Sequence, residues 1–228
     1  MADLIPAILQ KSLTEITLQL KQVVGIAPTV QLDVVDGIFT PEYSWPYTPQ
    51  GSEEFSAICS GSEALPLREE FNFEIDLMVV KSARDAGEWV SAGASRIVIH
   101  AESPDASIAL NALKASRQSA YPIVVGVALT STASPRALTP FEGLFDYVQV
   151  MGIAEIGRQG EPFDKHALTL IRELKATYPT LPIQIDGGVR EDIIKELLGA
   201  GATRLVVGSA IFAHGDPRVH LRALKEKI

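Results

Sequence analysis

Eight short apolar segments recur along the chain, separated by roughly 20 to 40 residues. They are LIPAIL, VQLDVV, FEIDLMVV, RIVIHA, PIVVGVAL, YVQVM, PIQIDGG and RLVVGSAIF. Most are followed by a stretch with helical periodicity, often opened by Ser or Asp suited to cap a helix: SLTEITLQLKQVV, SARDAGEWVSAG, DASIALNALKASR, DKHALTLIRELKATY, EDIIKELLGAG and DPRVHLRALKEKI. Strands rich in Val and Ile that alternate with amphipathic helices predict parallel pairing with the helices outside. The pattern therefore predicts an α/β fold, a (β/α)8 TIM barrel.

A doubly wound open sheet gives a similar alternation and stays an alternative at this point. The phrases AGASRIVI and AGATRLVVGSA repeat one helix end, glycine turn and strand entry about 110 residues apart, as expected for a chain of like βα units. The 228 residues, 46% of them hydrophobic, suffice for one large core. We therefore predict a single domain over residues 1–228.

One segment, at about residues 37–66, departs from this rhythm. It contains four prolines, two tyrosines and Trp45. The composition predicts a long loop insertion, since long loops in compact domains are usually functional or disordered. The aromatic residues favour an ordered cap over the strand ends, or a contact with a partner subunit, over a disordered excursion.

Composition excludes some partners. The net charge is −8 and the basic residues are scattered, whereas a nucleic-acid partner requires a basic surface patch. No uninterrupted apolar run reaches the length of a membrane span, and the first residues lack the pattern of a secretion signal. The lone Cys59 is consistent with a reducing compartment, so the cytoplasm is the expected location.

Three predicted strands carry polar residues two positions apart, which places each pair on one face of its strand. The pairs are Gln31 with Asp33, Glu74 with Asp76, and Gln184 with Asp186. In a barrel, side chains at the carboxyl ends of the strands line the active site. These acids could instead mark the point where solvent begins, but Asp76 lies within an apolar run, where a carboxylate needs a partner such as a cation or a substrate hydroxyl.

Glycine turns follow the last two predicted strands. Gly187 and Gly188 come after strand 7, and Gly208 and Ser209 come after strand 8. In barrels this pair of loops commonly binds phosphate through backbone N–H groups, which glycine allows an anion to approach closely. Ordinary turn chemistry is the alternative, and the presence of both turns favours a phosphate site.

The segment after strand 6, from Met151 to Phe163, reads as a mobile flap or as a plain connection. Its candidate residues are Met151, Gly152, Arg158 and Gly160, with Arg158 either neutralising a phosphate or lying on the surface. His100 ends strand 4, where a histidine serves either as a hydrogen-bonded structural residue or as a catalytic group.

The chain resembles the ribulose-phosphate 3-epimerase family of (β/α)8 barrels. The similarity is carried, in order, by PAIL, LDVVDGIFTP, DLMV, VIHAE, VGVAL, VQVMG, IDGGV and AGATRLVVGSAIF. The resemblance implies epimerisation of a ketose phosphate, in which one group removes a proton beside a carbonyl and another returns a proton on the opposite face. It assigns Asp33 and Asp186 as the two catalytic aspartates and as metal ligands.

Several positions depart from the family pattern. The two metal-ligand histidines correspond to Gln31 and Asp76, and Ala7, Ile38 and Glu42 replace the family's serine, histidine and asparagine. The flap also lacks the usual Asn-Pro-Gly-Phe-Gly-Gly run.

The expected metal site therefore comprises Asp33, Asp76, Asp186 and Gln31. Oxygen ligands favour Mg²⁺, Mn²⁺ or Ca²⁺ over Zn²⁺, and the site is lost if Gln31 turns away.

Three functions stay open from the sequence. The first is a ribulose-phosphate 3-epimerase-like isomerase. The second is a divergent Mg²⁺-dependent sugar-phosphate lyase or decarboxylase, although the strand 3 lysine of that group is absent. The third is a protein that binds a sugar phosphate without turnover. In each, the partner is a phosphorylated sugar and neither nucleic acid nor membrane, and association into a homo-oligomer is left open.

Overall fold

Eight parallel strands close into a barrel in chain order in the computed structural model, which describes residues 2–116 and 122–228. The strands are β1 (Asp3–Ile8), β2 (Thr29–Val35), β3 (Asn72–Met78), β4 (Arg96–His100), β5 (Val124–Leu129), β6 (Tyr147–Met151), β7 (Ile183–Asp186) and β8 (Arg204–Val207). Pairing of β8 with β1 closes the sheet and excludes the open, doubly wound alternative. The predicted single-domain (β/α)8 barrel is confirmed.

Helices pack outside the barrel. The α-helices are α1 (Leu13–Val23), α2 (Pro49–Cys59), α3 (Ser82–Ser91), α4 (Ala106–Ser116), α5 (His166–Thr177), α6 (Ile194–Ala200), α7 (Ser209–Phe212) and α8 (Pro217–Lys225). A 3-10 helix over Pro135–Phe141 follows β5. The six predicted helical stretches contain α1, α3, α4, α5, α6 and α8, and Arg117, the last residue of the stretch at α4, lies outside the described residues. Among the helices described here, none combines the length and the apolar character needed to cross a membrane.

The expectation of a long loop over residues 37–66 is corrected by helix α2. Thr48 caps this helix and proline occupies its first turn, so residues typical of loops here begin a helix. Trp45 is buried and contacts Phe55 of α2 and Trp89 of α3, with ring centroids 5.5 and 5.8 Å apart. Trp45 and Phe55 therefore secure the second helical crossover to the outside of the barrel, and Trp45 neither caps the strand ends nor offers a surface for a partner.

The inside of the barrel is largely polar. Alternate residues of each strand point inward, and the apolar residues between them pack against the helices. The inward residues include a middle layer with Gln31, Glu74, Gln149, Gln184 and Arg204, and above it an upper layer with Asp33, Asp76, His100 and Asp186. The site is therefore built on hydrogen-bonded polar layers instead of an apolar core.

Candidate active site at the carboxyl end of the barrel

Three buried aspartates converge at the carboxyl ends of β2, β3 and β7. Asp33 and Asp76 are opposite each other in the β2–β3 register, and Asp186 ends β7. Asp76 is fully buried, and Asp33 and Asp186 are 9% and 8% exposed. One carboxylate oxygen from each lies within 4.8 Å of those of the other two. The three acids picked out by alternation therefore share one small volume, and this acidic triad could hold a metal ion.

Two glutamine amides hold the triad in place. The Nε2 of Gln31 donates to Asp33 at 2.8 Å and to Asp186 at 2.7 Å. The Nε2 of Gln149 donates to Asp76 at 3.0 Å and to Asp186 at 3.3 Å. These donors sit where like charges would otherwise repel one another. Sequence reasoning missed Gln149, although the same alternation that selected the other residues points it inward from β6.

The direction of the Gln31 amide bears on its predicted role as a metal ligand. Its Oε1 accepts from Gln184 at 3.2 Å, which turns its nitrogen toward the carboxylates. A metal ligand must offer a lone pair, and the amide nitrogen offers only hydrogens. As the structure places it, Gln31 donates hydrogen bonds to two ligand candidates and contributes no ligand atom of its own. The three aspartates alone still form a possible metal site, contrary to the expectation that the site is lost if Gln31 turns away.

Crowding of the acids changes their affinity for protons. Burial, then the neighbouring Asp76 carboxylate, raises the pKa of Asp186 to about 7. Burial, followed by the charges of Asp186 and Asp76, raises the pKa of Asp33 well above its usual value. The triad therefore keeps at least one proton near neutral pH in the absence of a cation.

We expect the metal-free protein to lose stability as the pH rises from about 4 to about 7. Asp186 releases its proton near 3.8 when unfolded but near 7 when folded, so the folded chain binds more protons across this window and higher pH favours unfolding. Melting temperatures measured in EDTA at pH 5 and pH 8 test this. Asp186→Asn should shrink the difference between the two pH values; an unchanged difference in that variant would contradict the assignment.

His100 lies behind the triad and contacts Asp76. Its Nε2 is 3.0 Å from Asp76 Oδ1, and Phe39 packs edge-on against the ring with centroids 5.5 Å apart. Burial alone would lower the pKa of His100, but the Asp76 carboxylate outweighs burial and raises it. The imidazole does not line the cavity at the mouth, so its position favours the structural reading, with His100 orienting Asp76.

The predicted phosphate turns line the same cavity as two of the acids. This cavity is lined by Asp33 and Asp186 and also by Gly187, Gly188, Gly208 and Ser209. Gly187 and Gly188 have φ values of 98° and 66°, a left-handed conformation that side chains disfavour. The acids and the glycine turns thus face one volume.

The base of the predicted flap is tightly packed. Gly152 donates its N–H to the Asp186 carbonyl at 2.6 Å, and a Cβ at Gly152 would lie 2.2 Å from the Gly187 carbonyl oxygen. Met151, at the end of β6, lines the cavity beside them. Glycine is therefore required at position 152 because the flap leaves the barrel against the loop that follows β7.

The outer part of the flap covers the mouth. Gly157 packs on Thr40, where a Cβ would meet Oγ1 at 2.5 Å, whereas Gly160 has open space around it and lines the cavity. Arg158 pairs with Glu42 at 3.3 Å and also lines the cavity, so both alternatives for this arginine stay open. The cavity is partly open to solvent and measures about 40 Å³, room for only a few waters, whereas ligand pockets usually exceed roughly 300 Å³. In this structure the cavity is therefore too small to hold a sugar phosphate.

Comparisons with known proteins agree with this geometry. A model described as "Ribulose-phosphate 3 epimerase family" matches residues 3–212. A ribulose-phosphate 3-epimerase from Aquifex aeolicus is 30% identical over 209 residues, which cover 88% of this chain and 85% of that protein. One from Schizosaccharomyces pombe is 29% identical over 161 residues, covering 71% and 68%. One from Candida glabrata is 24% identical over 238 residues, covering 98% and 91%.

Solved structures share the fold at lower identity. A 3-hexulose-6-phosphate synthase from Salmonella typhimurium superposes with a TM-score of 0.71 at 16% identity, covering 100% of this chain and 98% of that one. The KGPDC from Streptococcus mutans gives 0.68 at 13% identity, covering 100% and 97%. At these identities the similarity establishes only the barrel fold, and the chemistry must be argued from the residues of the site.

Proposed function

This chain belongs to the ribulose-phosphate 3-epimerase family, which confirms the resemblance read from its motifs, and we propose that it inverts the C3 hydroxyl of a ketose phosphate. The observation that carries the proposal is the shared cavity. Asp33 and Asp186 open into the same volume as the glycine turns after β7 and β8. A phosphate held by those turns would place the sugar carbons beside the two acids.

Asp33 and Asp186 are the acid/base pair in this proposal. Epimerisation needs one group to take a proton from the carbon next to the carbonyl and another to return a proton on the opposite face. A carboxyl group can accept a proton only when it is ionised, and it can donate a proton only when it is protonated. Without a bound cation, the raised pKa values of both groups favour a state in which the triad holds a proton at neutral pH, so that one carboxyl group can donate while another accepts.

The acidic triad suits a hard divalent cation. Its three potential ligands are Asp33, Asp76 and Asp186, all oxygen donors that Mg²⁺ and Mn²⁺ prefer over the nitrogen and sulfur sets typical of Zn²⁺. A bound cation would supply positive charge to offset the charge that the substrate gains when it loses a proton. Gln31 and Gln149 would keep the carboxylates oriented toward that charge through their amide hydrogens.

The phosphate end of the substrate is assigned to backbone N–H groups. Gly187, Gly188, Gly208 and Ser209 line the same cavity as the acids, and Ser209 begins helix α7. Backbone donors in such turns bind anions without a charged side chain. Affinity should therefore come chiefly from these turns, and turnover from the aspartates.

A lysine-dependent decarboxylation receives no support from this site. Met78 lies two residues after Asp76 on the same face of β3 and lines the cavity. A methionine thioether supplies neither a proton nor a positive charge there. Structural neighbours that carry out synthase chemistry share the barrel, but the residues here favour proton transfer between carboxylates.

Incubation with D-ribulose 5-phosphate in deuterated buffer containing Mn²⁺ or Mg²⁺ tests the proposal. We expect deuterium at C3 and the appearance of D-xylulose 5-phosphate by NMR, both suppressed by EDTA. Asp33→Asn, purified in parallel, controls for a contaminating epimerase and should show neither signal. Binding of the sugar phosphate without exchange would favour a non-catalytic protein, and cleavage of the sugar would favour a lyase.

A further inference from the structure

We propose that Gln159 is a substrate-contacting residue that sets specificity, its side-chain amide donating a hydrogen bond to a sugar hydroxyl between Asp33 and the phosphate turns. The inference rests on the proposed function and extends it to a flap residue. Gln159 follows the exposed Arg158 in the irregular segment after β6, where no spacing marks it. Its position in space is what singles it out.

The amide of Gln159 lies over the ends of β1 and β8. Its Nε2 donates to the Ala7 carbonyl at 3.2 Å. A Cβ built on Gly208 would lie 2.5 Å from the same nitrogen, so glycine at 208 leaves space for the amide as well as for an anion. Gln159 also lines the same cavity as Asp33 and Asp186. Its amide thus lies beside the glycine turn after β8, in the cavity that the two acids share.

The hydrogen-bonding groups around this amide indicate which kind of ligand group it binds. The Ala7 carbonyl, to which the amide donates, and the Asp33 carboxylate, which lines the same cavity, are both acceptors, so the site uses the amide as a donor. A phosphate oxygen placed here would gain one donor but face two acceptors. A hydroxyl both accepts and donates, so it can accept from Gln159 while donating to the carbonyl or the carboxylate. The location therefore suits a sugar hydroxyl better than the phosphate.

Gln159 also lies at the boundary between the cavity and the protein surface. The stretch Gly157–Gln159 is a shared wall between the cavity and a surface groove of about 420 Å³ that includes Lys11 and Tyr43. This explains how the residue is exposed overall while its amide reaches inward.

Three variants test the inference: Gln159→Ala, Gln159→Glu and the control Glu155→Gln. Glu155 is exposed on the same flap, and its ion pair with Arg158 spans 3.9 Å. For Gln159→Ala we expect kcat/KM for D-ribulose 5-phosphate to fall about 10- to 100-fold, as for loss of one hydrogen bond to substrate. Gln159→Glu should be at least as damaging because it adds an acceptor among acceptors. Glu155→Gln should behave as wild type.

Calorimetric binding of inorganic phosphate separates contact from folding. A donor to a sugar hydroxyl predicts that Gln159→Ala weakens sugar-phosphate binding while phosphate affinity stays within about twofold. Equal weakening of both ligands would show a general role in flap structure and overturn the inference. Sugar-phosphate affinity that is unchanged or tighter would overturn it too. A wild-type protein that binds phosphate but no D-ribulose 5-phosphate would overturn the proposed function and this inference together, whereas normal turnover in Gln159→Ala would overturn this inference alone.

Discussion

Asp186→Asn will reduce kcat for D-ribulose 5-phosphate by at least about 10³-fold, a loss typical of removing an essential acid/base group. An amide neither takes up nor releases a proton near neutral pH, so one half of the proton transfer is lost. The fold should survive, because the asparagine oxygen can still accept from Gln31 and Gln149, as Asp186 Oδ2 does. Removing one of three crowded negative charges should even raise the melting temperature of the metal-free protein.

Affinity for the sugar phosphate should stay within about tenfold in this variant, since binding is assigned to the glycine turns. Steady-state kinetics and calorimetry measure the two quantities separately. Asp192→Asn is a matched control: this aspartate is exposed and pairs with Arg190 at 3.5 Å on the surface. A fall in affinity as large as the fall in rate would contradict the division of labour between acids and glycine turns.

The barrel and the acidic triad could be predicted because both follow from local periodicity. Strand and helix periods predict alternating units, and a period of two fixes which residues of a strand point inward. Asp33, Asp76 and Asp186 are selected by that rule alone. Once the strands close in order, the carboxyl ends must surround one opening, so the acids meet there.

Local patterns did not predict features of two kinds: a helix that begins with residues typical of loops, and contacts between residues far apart in the sequence. Helix α2 begins with Pro49 after Thr48, so the first turn of the helix looked like part of a loop. Gln149 bonds Asp76 across 73 positions of sequence, and only the barrel's closure brings them together. The position of the Gln159 amide depends on the path of the flap, and no periodicity in the sequence predicts that path. The direction of the Gln31 amide likewise depends on Gln184, from another strand.

Glu74→Leu will lower the free energy of unfolding by about 3 to 5 kcal/mol, the usual cost of removing one partner from a buried ion pair. Glu74 is fully buried in the middle layer of the barrel. Its carboxylate accepts from Arg204 at 2.7 Å, Arg96 at 3.2 Å, Tyr147 at 3.0 Å and Gln184 at 2.6 Å. Leucine would leave the Arg204 guanidinium, itself 9% exposed, without its buried carboxylate partner.

Urea denaturation followed by circular dichroism measures the change. Glu69→Leu is the control, because Glu69 pairs with Arg68 at 3.1 Å but is 85% exposed, and exposed pairs contribute at most about 1 kcal/mol. Glu74→Gln should lose less than Glu74→Leu, since its amide oxygen still accepts hydrogen bonds. If the loss of stability arises from the unpaired positive charge of Arg204, adding Arg204→Met to Glu74→Leu should restore part of the free energy of unfolding. A double variant less stable than Glu74→Leu would instead show that Arg204 stabilises the layer through Gln184 and Asp3, its other partners.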